Sequence, residues 1–377
     1  MAAGGTAGHV VPAMAVADEL RASGAEVSFL GTEERIEAEL LPAAGYEIDF
    51  LKVRGIDRRN PLRAAVAVAE AGAAVGAARS VLRRRGADVV LGGGGFVAGP
   101  AGLAAVLTRT PLVLTEADSH LGLANRLLAK RAQRVCLAFP IEGREGEPYL
   151  VTGRPVPAAI LAADRDEARR RFGIAPGARC LLVMGGSQGA RSINEAAIEA
   201  FAEAGPGGPD AEFRRDFHVI HLSGRRDHED LARRLAAAPH AQNYTLLPYE
   251  PDLGDVLAAC DLALARSGGS IFEVVAAGRP AILVPYPYAT ADHQTANAAW
   301  MSEAGAAETI ADDALSAGLL AGMVSSLFED QSRLASMAEA SATLARPDAA
   351  RTIADEVLAA ASGAPYAPIG SKRRTGR

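Results

Sequence analysis

Two glycine-rich segments constrain the fold of this chain more than any other feature. They are GGTAGH at residues 4–9, ahead of an apolar run, and GGSQGA at residues 185–190, directly after the strand-like residues 180–184. A glycine-rich turn between a strand and a helix lets a phosphate or a sugar approach the backbone, and the helix N-terminus adds unpaired N–H groups. A single turn of this kind also occurs as a plain tight turn. Two of them, each opening a strand–helix series, predict a duplicated nucleotide-binding fold with a cleft between the halves.

The composition is typical of a soluble protein with two domains. The 377 residues suffice for two cores, and 49% of them are hydrophobic while 22% are charged. The sequence has neither a signal peptide nor an apolar run long enough to span a bilayer, which predicts a cytoplasmic protein. Cys136, Cys180 and Cys260 lie far apart and predict buried free thiols in a reducing compartment.

Short apolar strands alternate with helical stretches in both halves, which predicts α/β domains with doubly wound parallel sheets. The predicted strands are 27–30, 89–91, 112–114 and 135–137 in the first half, and 180–184, 217–222, 245–247, 262–265 and 281–284 in the second. Only residues 1–3 precede the first loop, so the first strand is either a stub or begins upstream.

The segment GRPVP at 153–157 interrupts the alternation, because prolines end helices and central strands. We therefore predict a Rossmann-like N-terminal domain at 1–155 and a Rossmann-like C-terminal domain at 156–346. A last helix at 347–361 is expected to pack back on the N-terminal domain. Residues 362–377, with KRR at 372–374, predict a disordered tail.

Polar residues follow the predicted strands, where open α/β sheets bind their ligands. His9 ends the first loop, and it could act as a general base, donate to a bound oxygen, or be satisfied by its own loop. Glu273 lies one turn into a helix and could accept ribose hydroxyls or complement the helix dipole. The segment DHQ at 292–294 could bind sugar hydroxyls, cap the next helix through Asp292, or do both.

Asp164 and Asp166 are spaced like the carboxylate pair with which some transferases hold a divalent metal. They open a charged helix away from any strand end, so we interpret them as capping residues. The sequence also lacks His and Cys clusters at zinc spacing. We predict no metal and no cofactor.

The stretch 52–85 holds nine basic residues and two acidic ones, in a protein with a net charge of −6. Basic clusters flank the apolar residues 64–78, a pattern that favours docking on anionic lipid headgroups over the alternative of a solvated helix. Nucleic acid is disfavoured because no aromatic residues are interleaved for stacking. The candidate membrane-associating residues are Arg58, Arg59, Arg63, Arg79, Arg83 and Arg84.

Together these segments resemble the MurG family of glycosyltransferases over nearly the whole chain. The residues that carry the resemblance are GGTAGHVVPAMAVA (4–17), GGGGFVAGPAGLAA (92–105), GLANRLLA (122–129), GGSQGARSIN (185–194), RSGGSIFEVVAAGRPAILVPYP (266–287) and DHQTANA (292–298). The resemblance implies the GT-B fold, in which two Rossmann-like domains flank a cleft.

The resemblance also implies a reaction and its participants. N-acetylglucosamine would pass from UDP-N-acetylglucosamine to the C4 hydroxyl of an undecaprenyl-pyrophosphoryl-muramoyl-pentapeptide, with inversion and without a metal, during peptidoglycan synthesis. Such an enzyme would be peripheral on the cytoplasmic face of the cell membrane. The alternatives are a UDP-sugar transferase with another glycolipid or natural-product acceptor, and a UDP-sugar-binding relative without catalysis.

The family's functional residues carry over by position. His9 and Glu116 would be catalytic. The residues that would bind UDP-N-acetylglucosamine are Thr6, Ala7, Gly8, Asp118, Asn125, Arg154, Ser187, Glu250, Ser270, Glu273 and Gln294. Ala7, Asp118 and Pro157 stand where the family usually has a glycine, an asparagine and an arginine, and Arg154 is the candidate replacement for that arginine.

Overall fold

The computed structural model describes residues 1–53, 61–186, 189–203, 213, 216–289 and 292–363, and of residues 61–69 only the backbone. The chain divides into two compact units. Domain 1 consists of Met1–Pro157 and the segment from Arg346 through the last helix, and domain 2 consists of Ala158–Ala345. The part of the predicted tail from residue 364 onward lies outside the described residues, while Ser362 still belongs to the last helix.

Domain 1 contains a parallel sheet whose strand order is that of a dinucleotide-binding fold. Its strands are β1 (Ser28–Gly31), β2 (Glu47–Phe50), β3 (Val90–Gly92), β4 (Leu112–Glu116), β5 (Arg134–Leu137) and β6 (Tyr149–Val151). Ala2 forms parallel bridges to Leu30 in β1 and to Gly92 in β3, so residues 1–3 serve as a short first strand. The spatial order is therefore β2, β1, the first strand, β3, β4, β5 and β6.

Helices cover both faces of this sheet. They are α1 (Ala7–Ala22), α2 (Glu37–Ala43), α3 (Pro61–Arg85), α4 (Gly95–Thr108), α5 (Leu123–Leu128) and the last helix, α15 (Ala349–Ser362). Val16 and Leu20 of α1 pack with Ile353 and Val357 of α15 on one face. Apolar residues of α3, α4 and α5 cover the opposite face. The last helix is therefore part of the core of domain 1.

Domain 2 repeats the architecture with a six-stranded parallel sheet. Its strands are β7 (Arg179–Met184), β8 (Phe217–Leu222), β9 (Tyr244–Leu247), β10 (Leu262–Ala265), β11 (Ala281–Leu283) and β12 (Ala307–Thr309). The spatial order is β12, β11, β10, β7, β8 and β9. The first strand of the domain, β7, thus lies beside the fourth, β10, and the strand order reverses between them.

The helices of domain 2 lie on both faces of its sheet. They are α6 (Ala158–Ala162), α7 (Arg165–Arg171), α8 (Arg191–Phe201), α9 (His228–Ala237), α10 (Leu253–Ala259), α11 (Ile271–Ala276), α12 (His293–Glu303), α13 (Ala317–Glu329) and α14 (Gln331–Leu344). One large core joins α8, α13 and the sheet, with Ile193, Phe201 and Phe328 buried in it. The predicted fold class of two doubly wound domains is confirmed.

Three strands were not predicted from the sequence, and all three lie at the edge of a sheet. They are β2, β6 and β12. β2 reads EIDF and has no buried residue, while β6 and β12 have three residues each. An edge strand buries less apolar surface than a central one, so its sequence carries a weaker apolar signal. Helix α14 was missed as well.

No helix within the described residues is both long enough and apolar enough to cross a lipid bilayer.

Candidate active site

The first glycine loop lies where the strand order of domain 1 reverses, between the first strand and β3. Two loops meet there, residues 4–6 and residues 93–95. A Cβ atom on Gly95 would overlap the carbonyl oxygen of Gly4, and one on Gly94 would lie 2.5 Å from Cδ2 of His9. Both glycines also have positive φ, at 74° and 97°. Residues 94 and 95 must therefore be glycine for the first glycine loop to approach residues 93–95 this closely.

Thr6 and His9 begin helix α1 at this position. Thr6 is the N-cap in extended conformation, and its carbonyl oxygen accepts from the amides of His9 and Val10. Its hydroxyl forms a 3.1 Å hydrogen bond with Nδ1 of His9. Ala7 and Gly8 form the first turn of the helix. The imidazole is thus fixed by the loop and packed against Gly94.

The surroundings of His9 favour its neutral form. Burial lowers the pKa of His9 below its ordinary value of 6.5, and the charge of Arg154 lowers it further. Asp118, Glu37 and a hydrogen bond to the Gly4 backbone act in the opposite direction without reversing the shift. An imidazole that is uncharged at neutral pH can accept a proton.

Arg154 reaches the first loop from the end of domain 1. Its guanidinium donates to the carbonyl oxygen of Gly8 at 2.6 Å. A fixed cation therefore lies beside the first turn of α1, where the helix dipole also favours negative charge.

Glu116 supports a loop in this structure. It is the last residue of β4 and is 7% exposed. Its carboxylate accepts from the amide of Gly122 at 2.8 Å, the amide of Asp118 at 3.2 Å and Nδ2 of Asn125 at 2.9 Å. Burial raises the pKa of Glu116, and these three hydrogen bonds oppose the rise. Nδ2 of Asn125 also donates to the carbonyl oxygen of Thr115, so both of its protons are used within the domain.

A buried carboxylate that was not predicted from the sequence, Glu37, lies under the first loop. Its side chain accepts from the amide of Gly5 at 3.0 Å and from both the amide and the hydroxyl of Thr32, at 3.1 and 2.6 Å. The residue is 0% exposed. The available signal was helical phase: Glu37 lies one turn before the buried Leu41 on α2, on the face that should be apolar.

The second glycine loop lies at the corresponding position in domain 2, after β7. A Cβ atom on Gly185 would overlap the backbone of Ala190, and one on Gly189 would overlap the carbonyl oxygen of Ser223. Helix α8 begins directly after this loop, at Arg191. A glycine loop followed by the N-terminus of a helix suits a diphosphate. Ser187, the predicted diphosphate ligand, lies outside the described residues.

A buried polar network supports the second loop from below. Asn194 of α8 donates to the carbonyl oxygen of Ser223 at 2.9 Å, and its Oδ1 faces Nε2 of His221 at 3.0 Å. Nδ1 of His221 is 2.7 Å from the hydroxyl of Tyr244. These partners assign a neutral imidazole that donates from Nε2 and accepts at Nδ1. Burial lowers the pKa of His221 to about 3.

The remaining residues predicted to bind the nucleotide sugar lie in or beside the turn after β10. Ser270 precedes α11, and Glu273 is half-buried in its first turn. The side chain of Gln294 accepts from the amide of Tyr286 at 2.9 Å, and a Cβ atom on Gly268 would lie 3.6 Å from its Nε2. The structure therefore brings Gln294 to the same turn as Ser270 and Glu273, at the strand-order reversal of domain 2.

Arg266 joins several strand ends at this edge and was not singled out from the sequence. It is 9% exposed, and its guanidinium donates to the carbonyl oxygen of Val284, to Asp312 and to the hydroxyl of Ser192. Ser192 lies in the first turn of α8 and Val284 follows β11. One buried cation thus connects the elements that surround the predicted nucleotide site.

Two other carboxylate predictions can be placed. Glu250 is buried and accepts from the amide of Asp252 and from Arg171, so any ligand contact would come from its backbone. Asp164 is the N-cap of α7 and accepts from the amide of Glu167 at 2.8 Å, which confirms the capping interpretation for this residue, while Asp166 lies within the first turn. Across the described parts of both domains, no group of three or more His, Cys, Asp or Glu side chains could hold a metal ion.

The basic residues proposed for membrane contact differ in how they are placed. Arg58 and Arg59 lie outside the described residues, and of Arg63 only the backbone is described. Arg79 and Arg83 are exposed on α3. Arg84 is exposed but pairs with Asp49 at 2.6 Å. Carboxylates of β2 therefore offset part of the positive charge at the end of α3.

The comparisons with known proteins agree over the length of the chain. Residues 1–137 match the glycosyltransferase family 28 N-terminal domain, and residues 180–353 match the C-terminal domain of that family. A UDP-N-acetylglucosamine–N-acetylmuramyl-(pentapeptide) pyrophosphoryl-undecaprenol N-acetylglucosamine transferase from Moorella thermoacetica is 39% identical, with 94% of this chain and 96% of the relative covered.

Two further proteins are similar. The transferase of the same name from Halorhodospira halophila is 40% identical, with 95% of this chain and 97% of the relative covered. The crystal structure of MurG from Acinetobacter baumannii superimposes with a TM-score of 0.73 at 30% identity, and covers 95% of this chain and 98% of its own.

Proposed function

This chain belongs to glycosyltransferase family 28 and, within it, to the MurG transferases, and from that membership we propose its reaction. The protein transfers N-acetylglucosamine from UDP-N-acetylglucosamine to the C4 hydroxyl of a muramyl-pentapeptide linked through pyrophosphate to undecaprenol. The observation that carries this proposal is the sequence identity of about 40% to transferases named for that reaction, over 94–97% of both chains.

In this proposal domain 2 holds the UDP. The glycine loop at 185–190 and the N-terminus of α8 receive the diphosphate, and Ser187 donates to one of its oxygens. Glu273 accepts from the ribose hydroxyls, the backbone at Glu250 meets the uracil, and Gln294 contacts the transferred sugar. The close approach of glycine backbone to Ala190 and Ser223 supports this assignment, since it holds the loop tightly against the start of α8 and the end of β8.

Domain 1 supplies the base. The acceptor hydroxyl forms a bond to C1 of the sugar, the bond between C1 and the diphosphate oxygen breaks, and UDP leaves with its negative charge. The proton of the hydroxyl passes to His9. The lowered pKa of His9 supports this role because the imidazole is neutral at pH 7. Arg154 and the first turn of α1 favour negative charge nearby.

Glu116 is assigned a supporting part in the same domain. Its three hydrogen bonds hold the loop 116–122, which carries Asp118. We propose that Glu116 contributes to catalysis by fixing this loop, and that Asp118 contacts the sugar from it.

Peripheral attachment to the cytoplasmic face of the membrane completes the proposal. Exposed leucines occur in pairs on the adjacent helices α4 and α5: Leu103 and Leu107, and Leu123 and Leu127, the last of them 70% exposed. Exposed Arg126 and Lys130 accompany them on and beside α5. Apolar side chains flanked by basic ones suit an anionic lipid surface, where the lipid-linked acceptor also lies.

The test is turnover with defined substrates. Purified protein, UDP-N-acetylglucosamine and a muramyl-pentapeptide pyrophosphoryl lipid should release UDP and form a β-linked disaccharide, as measured by mass spectrometry and proton NMR of the product. Turnover only on a non-muramyl acceptor would replace the proposed acceptor. Binding of UDP-N-acetylglucosamine without turnover on any acceptor would identify a sugar-binding relative without catalysis.

A further inference from the structure

Glu37 is a charged side chain in a place where burial is costly. It is 0% exposed, and an uncompensated buried carboxylate destabilises a protein by several kcal/mol. Here the carboxylate is compensated by three donors, of which two come from Thr32 and one from the amide of Gly5 in the first loop. The side chain therefore connects the loop after β1 to the loop that carries Thr6 and His9.

Two glycines make room for this side chain. A Cβ atom on Gly4 would lie 2.5 Å from Oε1 of Glu37, and one on Gly31 would lie 2.9 Å from its Cγ. Neither Gly4 nor Gly31 has a positive φ, so backbone conformation does not require glycine at either position. Glu37 takes the space at Gly4, and at Gly31 it does so together with Ile48, whose Cδ1 would lie 2.7 Å from the added Cβ atom.

We propose that Glu37 is a positioning residue for His9, acting through the amide of Gly5 and through its charge. The proposal rests on the assignment of His9 as the base. A carboxylate under the loop fixes the Gly4–Gly5 peptide, which leads into Thr6, and the hydroxyl of Thr6 meets Nδ1 of His9. A base held in the productive geometry raises the rate by a large factor, because small displacements of the base raise the free energy of the transition state.

The charge of Glu37 also acts on the imidazole. The charged groups around His9 are Arg154, Asp118 and Glu37, and of these Arg154 lowers the pKa of His9 while the two carboxylates raise it. Removing the charge of Glu37 therefore lowers the pKa of His9. The titration of His9 therefore tests whether the charge of Glu37 acts on the imidazole, and kcat tests whether the loop positions it.

The decisive variant is Glu37→Gln, with Glu39→Gln as its control. The control makes the same change at an exposed position on the same helix. We expect kcat of Glu37→Gln to fall about 10- to 100-fold and the pKa of His9 to fall, because the charge of Glu37 raises it. The titration is followed by NMR of the histidine ring Cε1–H signals, with His9 assigned by its loss in His9→Gln. The control should match the wild type in both.

The titration separates this inference from the proposed function. If the wild type does not turn over the muramyl lipid, the proposed reaction fails, while the pKa of His9 still tests Glu37. An unchanged His9 pKa in folded Glu37→Gln would overturn the inference, and so would an unchanged kcat in an active enzyme.

Thr32→Val covers the case in which Glu37→Gln does not fold. It removes one donor to the carboxylate and keeps the charge. We expect kcat to fall about 3- to 10-fold, without a lowered His9 pKa and with UDP affinity unchanged by calorimetry. An unchanged kcat in Thr32→Val would overturn the inference in that case.

Discussion

The two glycine loops occupy equivalent positions in the two domains but are held in different ways. The loop of domain 1 is connected to the rest of its domain by a buried charge, because Glu37 binds the amide of Gly5 from below. That loop also packs tightly against backbone, at Gly95. The loop of domain 2 packs in this way at Ala190 and Ser223, where Gly185 and Gly189 leave no room for a side chain. Its polar support, built on Asn194, His221 and Tyr244, places a neutral imidazole at its centre.

This difference matches what each loop is proposed to do. A charged support affects the pKa of a titratable neighbour such as His9, because the pKa of the imidazole responds to each charge placed nearby. A backbone support and a neutral imidazole give a site whose shape does not change with pH near neutrality. The comparison therefore predicts that the first loop controls the rate and its pH dependence, while the second controls UDP affinity.

The largest expected effect separates rate from affinity. His9→Ala should lower kcat by about 100-fold or more, because a positioned general base contributes about that factor or more. UDP affinity, measured by calorimetry, should stay within about 2-fold, since His9 belongs to the other loop. In the wild type kcat should decline as the pH falls through the His9 pKa, below 6.5, because the protonated imidazole cannot accept a proton. Equal losses of kcat and UDP affinity would show that the two loops do not divide rate and affinity between them.

The second prediction tests the backbone support of the domain 2 loop. Gly189→Ala and Gly177→Ala both place a side chain at positive φ, at 75° and 80°. Only at Gly189 would the new Cβ overlap a neighbour, while nothing lies within 4 Å at Gly177. Gly177→Ala should therefore lower the free energy of unfolding by about 1–2 kcal/mol through strain alone.

Gly189→Ala should lower it by at least about 2 kcal/mol more and weaken UDP binding about 10-fold or more, because the loop must move. Urea unfolding and calorimetry measure the two quantities. Equal behaviour of the two variants would show that the contact with Ser223 does not hold the loop.

The third prediction concerns the neutral network behind that loop. His221 has a pKa of about 3 in the folded protein, against an ordinary value of 6.5. The unfolded chain therefore binds this proton first, so the stabilisation is complete above pH 6.5 and is lost as the pH falls toward 3. The contribution of His221 should decline by about 2 kcal/mol between pH 6.5 and pH 5.

The measurement for this prediction is the slope of the unfolding free energy with pH. In His221→Gln the unfolding free energy should fall by about 2 kcal/mol less between pH 6.5 and pH 5 than in the wild type. In His120→Gln, at an exposed position of domain 1, it should fall as in the wild type. If His221→Gln leaves the slope unchanged, the pKa of His221 is the same in the folded protein as in the unfolded chain.

The smallest effect tests whether domain 1 alone contacts the membrane. Leu127→Glu should lower partitioning onto vesicles with anionic lipid about 10-fold, because an exposed leucine gains about 1.5–3 kcal/mol on full burial. Leu319→Glu is the control, since Leu319 is 44% exposed on α13 of domain 2. Vesicle sedimentation measures both variants, and equal losses would assign membrane contact to both domains.

Much of the fold follows from local sequence signals. The central strands of both sheets are continuous apolar runs, and the glycine segments mark where the strand order of each sheet reverses. The strands and the reversal points could therefore be predicted from the sequence. The edge strands β2, β6 and β12 could not, since edge strands need little apolar character. Residues 1–3 are a related case, because three residues form a strand only when two neighbours lie ready to pair with them.

The candidate site divides in the same way. Thr6, His9, Ser270, Glu273 and Gln294 were found because they follow strands or begin helices, positions that the sequence reveals. Glu37 was not, because its importance comes from Gly5, which lies far from it in the chain. Arg266 was identified only as part of the segment 266–287, because its partners Ser192 and Asp312 are also distant in the chain. Glu116 and Asn125 were assigned to catalysis and to ligand binding, and the structure shows them hydrogen-bonded to each other.

Local signals suffice for the class of fold, the two positions where ligands approach the backbone, and the family, because glycine, proline and apolar periodicity act over a few residues. What holds each loop in place follows only from the contacts that folding creates between distant segments. A carboxylate becomes a support when folding buries it against donors from other segments, and the energy of such a contact depends on distances that no local pattern encodes.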